Sequence, residues 1–240
     1  MKVVLIGDSN IAAIRNAYVE SEDARALHPD GVSEVSFLGM SNNSYHQPFY
    51  SNETSQVVVK RPDGSIVANI RAADDTVYGI LLGTTTQRIS NSGDWGVYAP
   101  VSLMNDEKIP VSDKQILEII KYDLKFKLEF INEINSLGAD FFLISSPPPR
   151  DSHPAFVKNE RKSIYKYIDA LYREIFINAM SELDLHFLDY PANVVKDDGF
   201  MIHEYNPVKA DDYFHANSKY GFLQLMQVFR YVEAKYCLQT

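Results

Sequence analysis

The sequence predicts an α/β protein with a mostly parallel sheet covered by helices on both faces. The main observation is an alternation in which short apolar runs rich in strand-forming residues are followed by longer segments of helical periodicity. A second observation is that no repeat, low-complexity tract or Pro/Gly/Ser-rich linker interrupts the 240 residues. This length fits one domain or two, and the missing divider favours a single domain over residues 1–240. Such alternation is typical of a three-layer α/β/α architecture.

The alternation assigns five strands and four long helices. Each strand is a short run of mostly Val, Ile, Leu and Phe, and each helix places apolar residues three or four apart. The predicted strands are Lys2–Ile6, Glu34–Leu38, Val77–Leu82, Asp140–Ile144 and Leu185–Leu188, and the predicted helices are Ile11–Glu20, Asp113–Leu137, Phe156–Leu183 and Lys219–Ala234. Helical connections between strands favour a five-stranded parallel sheet.

The second of these helices, Asp113–Leu137, carries clear start and stop signals. Ser112 and Gln115 have the spacing of a capping box, in which the side chain of each residue accepts the backbone N–H of the other. Gly138 supplies the left-handed residue that ends a helix. We expect one stripe to be buried (Ile116, Ile120, Leu124, Leu128, Ile131 and Ile134) and the opposite surface to face water, including Lys121, Lys125 and Lys127.

A β-hairpin at about residues 56–70 interrupts the alternation between the second and third strands. Val57–Lys60 and Ser65–Ala68 are strand-like, and Arg61–Gly64 between them has the Pro-Asp-Gly composition of a tight turn. We expect this hairpin to be an inserted decoration of the domain.

A second irregular segment runs from Ser90 to Pro110. It contains Trp95, Tyr98 and two prolines, and it shows no clear periodicity. Loops of this length in compact domains are usually lids or binding loops. We therefore expect this segment to cover a site.

The composition excludes several classes of protein. The chain is 45% hydrophobic and 23% charged, as in ordinary globular proteins. Twenty-three basic and 32 acidic residues give a formal net charge of −9, which opposes binding to nucleic acid or anionic membranes. Cys237 is the single cysteine, so an internal disulfide and a multi-cysteine zinc site are excluded. Without an apolar stretch long enough for a signal peptide or membrane span, we expect a cytoplasmic protein.

Small and polar residues follow the predicted strands, at the edge of a parallel sheet where ligands bind. The first strand leads through Gly7-Asp8-Ser9-Asn10 into a helix, so Ser9 lies near a helix N-terminus, which favours negative charge. The second strand leads to Gly39 and the third to the segment 83–86. Asp212 and His215 lie just before the last helix.

These residue types suit nucleophilic catalysis. A serine hydroxyl becomes a nucleophile when a base removes its proton and a carboxylate orients that base. Asp212 and His215, three residues apart, can act in this way on Ser9. The backbone N–H groups of Ser9 and Gly39 are candidate donors to the oxyanion. A third donor can come from Thr84, Thr85 or Thr86, among which Thr85 is our assignment.

At these positions the sequence resembles the SGNH, or GDSL-type, hydrolase superfamily. Gly7-Asp8-Ser9-Asn10 matches the family's first block, Gly39 its second, and Asp212-Tyr213-Phe214-His215 with Asn217 and Gly221 its last. The resemblance implies a flavodoxin-like sheet of strand order 2-1-3-4-5, with Ser9 as nucleophile, His215 as base and Asp212 as its partner.

The third block departs from the family pattern. Where the family has Gly-x-Asn-Asp, this chain has Thr85 and Thr86 after Gly83. The oxyanion asparagine is therefore absent, or Asn42, Asn43 or Asn91 supplies it from elsewhere. Losing one such donor costs roughly 10²–10³ in turnover, so the sequence is that of a divergent member.

The resemblance implies a serine esterase that forms an acyl-enzyme on Ser9. We expect an O-acylated carbohydrate or another small ester as substrate, contacted by Asn42, His46, Trp95 and Arg150. Two alternatives remain open: an O-acyltransferase that uses the same residues, and a non-catalytic carbohydrate-binding module on this scaffold. Neither glycine-rich nucleotide-binding motif occurs, and no metal or organic cofactor is expected. The sequence leaves the oligomeric state open.

Overall fold

The structure is a computed structural model that describes residues 1–40, 45, 47–72, 75–82, 84, 86–105, 107–153, 156, 159–207, 209 and 211–237. Within these residues no helix is both long and apolar enough to cross a membrane.

A five-stranded parallel sheet forms the centre of the molecule. In the order β2-β1-β6-β9-β10, its strands are β2 (Glu34–Gly39), β1 (Lys2–Gly7), β6 (Thr76–Leu81), β9 (Phe141–Ile144) and β10 (Phe187–Leu188). All four pairings are parallel. Counted along the chain as strands one to five, this is the order 2-1-3-4-5, as predicted. The central strands are buried on both faces, which explains their uninterrupted apolar sequences.

Helices cover both faces of the sheet. Six α-helices are described: α1 (Ile11–Glu20), α2 (Glu22–Ala26), α3 (Gln87–Ser90), α4 (Asp113–Leu137), α5 (Asn159–Glu182) and α6 (Ser218–Val232). Buried residues of α4 and α5 pack on one face of the sheet, and those of α1 and α6 pack on the other. The predicted three-layer arrangement is therefore present, with helix ends within three residues of the prediction.

Helix α4 confirms its predicted signals but corrects one predicted face. The Ser112–Gln115 capping box is formed, and Gly138 ends the helix with φ 76°. Lys121 and Lys125 are exposed, as expected, whereas Lys127 is only 2% exposed and the prediction for it is wrong. Lys127 lies on the side that faces α5, where Asp123 and the Tyr172 hydroxyl bind its ammonium.

The inserted hairpin is part of a larger element. Strands β4 (Gln56–Lys60) and β5 (Ile66–Arg71) pair as predicted, and β3 (Tyr50–Glu53) joins them in a three-stranded antiparallel sheet. Its apolar side chains belong to the same core as α4 and α5, so it is not a mere decoration. The Arg61 side chain in its turn also donates a hydrogen bond to the Gly39 carbonyl, 3.1 Å away.

The segment after β6 that was expected to be a lid is also built into the core. Besides α3 it contains β7 (Tyr98–Pro100) and β8 (Ile109–Val111), which form a two-stranded sheet. Trp95 and Ala99 are buried in the main core, and the Trp95 indole N–H donates to the Ile89 carbonyl. These anchors make the segment a wall of the domain.

Close backbone contact between α1 and α6 brings the two ends of the chain together. A Cβ atom on Gly221 would lie 1.9 Å from the Ala13 carbonyl oxygen, so only glycine permits this approach. Gly7 has a similar role at the end of β1, where a Cβ would lie 2.8 Å from the Leu81 Cβ. The distance between Ser9 and the segment before α6 depends on these two contacts.

Candidate active site

The turn between β1 and α1 presents Ser9. The Ile11 and Ala12 N–H groups bond the carbonyls of Asp8 and Ser9, so the helical turn begins directly at the serine. The buried Asp8 carboxylate accepts the Asn10 N–H at 2.8 Å and fixes the turn from inside. Ser9 is partly exposed at the positive end of α1.

The segment before α6 presents Asp212 and His215. Asp212 Oδ1 accepts the backbone N–H groups of Phe214 and His215, both at 3.1 Å, which closes a tight turn. Asn217 caps α6 with its side-chain oxygen and donates its amide to the Glu204 and Asn206 carbonyls. The turn is therefore held from its own backbone and from the neighbouring segment.

Ser9, His215 and Asp212 form one hydrogen-bonded row. His215 Nε2 lies 2.7 Å from Ser9 Oγ, and His215 Nδ1 lies 2.9 Å from both Asp212 carboxylate oxygens. A carboxylate can only accept, so Nδ1 carries the proton and Nε2 is the acceptor that faces the serine hydroxyl. Ser9 and His215, 206 positions apart in the sequence, thus meet in the geometry that a general base requires.

The surroundings of Asp212 keep it ionised. Partial burial would by itself raise its pKa, but the Phe214 N–H, the His215 imidazole and the His215 N–H outweigh burial and hold the pKa below its ordinary value. An ionised Asp212 favours the Nδ1–H tautomer of His215 and stabilises an imidazolium.

The comparisons with known proteins bear on the fold. No family model matches the sequence, and no curated protein matches it either. Solved structures do match over nearly the whole chain. The extracellular lipase from Streptomyces rimosus aligns with a TM-score of 0.54 at 10% identity, covering 96% of this chain and 99% of that one.

Two further structures align with TM-scores of 0.50. A candidate acylhydrolase from Bacteroides fragilis is 9% identical and covers 96% of this chain and 87% of its own, and a protein from Lactobacillus plantarum is 12% identical and covers 98% and 97%. With the strand order, these likenesses decide the architecture. The chain has the SGNH-hydrolase fold.

The third-strand loop of this SGNH fold offers no described oxyanion donor. Thr84 and Thr86 are buried: Thr84 Oγ1 accepts the Ser146 N–H at 2.7 Å, and the Thr86 hydroxyl donates to Asp169 at 2.8 Å. Both hydroxyls connect the loop to its neighbours and do not face a ligand. Thr85, our predicted donor, lies outside the described residues, as do Asn42 and Asn43, while Asn91 is the residue that ends α3.

Gly39 has the expected position at the carboxyl end of β2. The Met40 N–H donates to the Gly7 carbonyl, so the Gly39 N–H, one residue earlier in a parallel ladder, points away from β1. Gly39 is exposed, and a Cβ there would have one contact within 4 Å, at 3.9 Å from Ile11. Its role as an oxyanion donor with the Ser9 N–H stays a prediction.

A cleft of about 480 Å³ opens beside the row. Ser9, Asp212 and His215 line it together with small and polar side chains, among them Ala12, Asn16 and Asn217. A second cavity of about 510 Å³ adjoins it along α1, because Glu20 and Ser218 line both. Together they form a groove that begins at Ser9.

The structure does not place the described residues that were predicted to contact substrate in the cleft. Trp95 is 6% exposed and buried in the main core, so that assignment is wrong. Arg150 is also buried, and its guanidinium donates to the Asp212 carbonyl rather than facing the cleft, which corrects the expected contact with substrate. Asn42 and His46 lie outside the described residues.

Sequence reasoning missed two residues that support the site. Asn10 is buried beneath Ser9, and Arg150 reaches the turn that carries His215. Both residues were visible in the sequence, but Arg150 was assigned to the substrate because its partner, Asp212, lies 62 positions away.

Proposed function

We propose that the protein is a serine ester hydrolase that forms an acyl-enzyme on Ser9. The observation that carries the proposal is the 2.7 Å separation of Ser9 Oγ and His215 Nε2, with Asp212 behind the imidazole. A serine at a helix N-terminus, a base that accepts its proton and an oriented carboxylate are the parts that acyl transfer requires.

In the proposed first half-reaction, Ser9 Oγ attacks the acyl carbonyl while His215 Nε2 takes its proton. The new C–O bond gives a tetrahedral oxyanion, and Asp212 stabilises the imidazolium. Collapse of this intermediate breaks the bond to the alcohol, which leaves with the proton returned by His215. Water then repeats the sequence: it loses a proton to His215, attacks the acyl-enzyme and releases the acid and Ser9.

The oxyanion is proposed to bind the backbone N–H of Ser9; the Gly39 N–H, which points away from β1, has to turn toward Ser9 to act as the second donor. Both groups are at carboxyl ends of adjacent strands, since Gly7 and Gly39 are paired. The positive end of α1 adds to their field. Without the family asparagine, we expect a turnover below that of an enzyme with three donors, by roughly 10²-fold.

The proposed substrate is a small ester of a polar alcohol, with an O-acylated sugar as our leading candidate. The support is the groove itself: Asn16 and Ser218 offer hydrogen bonds, and the adjoining cavity lets the alcohol extend along α1. A sugar hydroxyl in place of water would complete an acyltransferase reaction on the same residues.

Active-site labelling tests the function directly. A fluorophosphonate reacts with an activated serine, so we expect stoichiometric labelling of Ser9, identified by peptide mass, together with hydrolysis of p-nitrophenyl acetate. Ser9→Ala and His215→Ala should lower the turnover by about 10⁴-fold or more. Two matched controls should keep both activities: Ser181→Ala, an exposed serine of α5 outside the cleft, and His203→Ala, an exposed histidine away from the row.

The alternatives give different results. A folded wild-type protein without labelling or turnover would overturn the proposal, and if that protein binds acetylated oligosaccharides it is a binding module. Persistent labelling in Ser9→Ala would also overturn it. Products measured with and without a sugar acceptor separate hydrolysis from acyl transfer.

A further inference from the structure

Arg150 is buried beside the turn that carries Asp212 and His215. It follows Pro147–Pro149 at the end of β9, and its side chain is 8% exposed. One terminal nitrogen of the guanidinium, Nη1, donates to the Asp212 carbonyl oxygen, and Nη2 donates to Ser152 Oγ at 3.2 Å. A buried cation therefore holds the backbone of the turn that carries Asp212 and His215.

A small polar cavity lies next to this guanidinium. Its volume is about 20 Å³, and its lining includes Arg150, Asn10, Thr84 and Asp169. Within the described part of the chain, two of the lining side chains have a buried atom without a hydrogen-bond partner: Arg150 Nε, a donor, and Asn10 Oδ1, an acceptor. Asn10 is 3% exposed.

The chemistry of these two atoms is complementary. Burying an unpaired donor or acceptor costs about 1–3 kcal/mol each, so native structures satisfy such atoms with protein groups or internal water. A space of 10–15 Å³ or more is enough for one water molecule, which needs two to four polar partners. The cavity of about 20 Å³ fits one water and no larger ligand.

We propose that Arg150 is a positioning residue for His215, and that one internal water joins Arg150 Nε to Asn10 Oδ1. Asn10 is the neighbour of Ser9, and Arg150 binds the carbonyl of Asp212. The bridge therefore links the turn that carries Ser9 to the turn that carries Asp212 and His215. The inference rests on the proposed function, because it concerns the alignment of Ser9 with its base.

Arginine suits this role better than lysine. The guanidinium directs N–H groups from three nitrogens in one plane, so it can bind the Asp212 carbonyl and the cavity water at the same time. A lysine ammonium at this position can replace one of these bonds. A small displacement of the turn is costly, since a shift of about 1 Å at a catalytic group lowers turnover by about 10²-fold.

The kinetic test compares Arg150→Met, Arg150→Lys and Asn10→Ala with wild type, using p-nitrophenyl acetate turnover and fluorophosphonate labelling. For Arg150→Met we expect kcat to fall about 10²-fold with KM changed by less than about threefold. Arg150→Lys should recover part of that loss. The double variant Arg150→Met/Asn10→Ala should be no slower than Arg150→Met, because both substitutions remove the same bridge.

The matched control is Arg161→Met. Arg161 is another arginine that donates to backbone carbonyls, those of Ser92 and Gly93, but it does not touch the Asp212 turn. It should keep wild-type kcat. Chemical denaturation of every variant separates a loss of alignment from a loss of folding.

A readout independent of activity keeps this proposal separate from the proposed function. The Nδ1 proton of His215, bonded to Asp212, gives a low-field proton NMR resonance whether or not the protein hydrolyses esters. We expect Arg150→Met to shift or broaden this resonance and Arg161→Met to leave it unchanged. A high-resolution crystal structure should show the water between Asn10 and Arg150.

Three results would overturn the inference: wild-type kcat and an unchanged His215 resonance in Arg150→Met, additive losses in the double variant, or a cavity filled by a protein group instead of water. An unlabelled and inactive wild type would overturn the proposed function alone, since the resonance and the crystal structure still report on Arg150.

Discussion

Two hydrogen-bonded groups of polar side chains in this protein contain similar residue types but lie in different surroundings. In the row proposed to be catalytic, the Ser9, His215 and Asp212 side chains are partly exposed and line a cleft. Between α4 and α5, Asp123 and Lys127 are buried and bind each other at 3.2 Å. Both groups are hydrogen-bonded, but only the first meets a space that a substrate can enter.

The second group is closed on itself. The Tyr172 hydroxyl donates to Asp123 at 2.6 Å and accepts from Lys127 at 2.6 Å, while Arg88 adds a further bond to Asp123 at 2.7 Å. Every charge has a partner, as buried charges require. The difference teaches that charge and hydrogen bonding alone do not mark a candidate catalytic group; the Ser9 hydroxyl and the His215 imidazole differ because they also line an open cleft.

The largest predicted effect is a loss of activity when the first group, Ser9, His215 and Asp212, is changed. Asp212→Asn keeps an oxygen for the backbone bonds of the turn but can donate to Nδ1, which favours the wrong tautomer of His215. We expect labelling and turnover to fall by up to about 10⁴-fold, with little change in the midpoint of urea unfolding. A turnover within tenfold of wild type would show that Asp212 does not orient the base.

The next effect separates them by stability. Lys127→Ala removes the buried one of the two cations that bind the Asp123 carboxylate, and the remaining cation, Arg88, is half exposed. We therefore expect a loss of about 3 kcal/mol in the free energy of unfolding. The double variant Asp123→Leu/Lys127→Met should lose less than the sum of its two single variants. Urea denaturation measures both. An unfolding free energy equal to wild type in Lys127→Ala would mean that the pair contributes nothing.

The smallest effect is a pH dependence that belongs to the closed group. Burial favours neutral Asp123, but Lys127, Tyr172 and Arg88 outweigh burial and lower its pKa. Its ionised form therefore stabilises the fold above the unfolded pKa of about 3.9, and this contribution is lost as the pH falls through the lower folded pKa. We expect the urea midpoint of wild type to drop below about pH 4 and that of Asp123→Asn to drop less. Parallel acid profiles for the two proteins would contradict this assignment.

Local signals in the sequence predicted most of the fold. The capping box at Ser112, the glycine stop at Gly138 and the alternation of apolar runs depend on neighbours a few positions apart, and the structure confirms them. The residues of the candidate row could also be found in the sequence, because the Gly7-Asp8-Ser9 turn and the Asp212/His215 spacing are each local patterns. Their meeting was an inference from the resemblance, and the α1–α6 contact at Gly221 accounts for it.

Other side chains could not be assigned from local patterns. Trp95 was predicted at a binding loop and is buried, and Lys127 was predicted in water and lies against Tyr172. Helical periodicity predicts which face of a helix is buried, but it does not show that a hydroxyl from the neighbouring helix, Tyr172 of α5, joins Asp123 of the same helix in binding Lys127. In the same way, the segment around Trp95 has no period because its contacts come from the core.

The sequence by itself determined where the five strands of the central sheet and the four long helices lie, the order of polar blocks and the kinds of chemistry that those blocks allow, because these depend on spacing within single elements. Only the tertiary structure decided which of them meet: that Ser9 Oγ and His215 Nε2 come within 2.7 Å, and that Arg150 binds the turn instead of a ligand. The physical reason is that burial and long-range pairing arise from packing between elements, here the glycine contact of α1 and α6, and no local pattern encodes it.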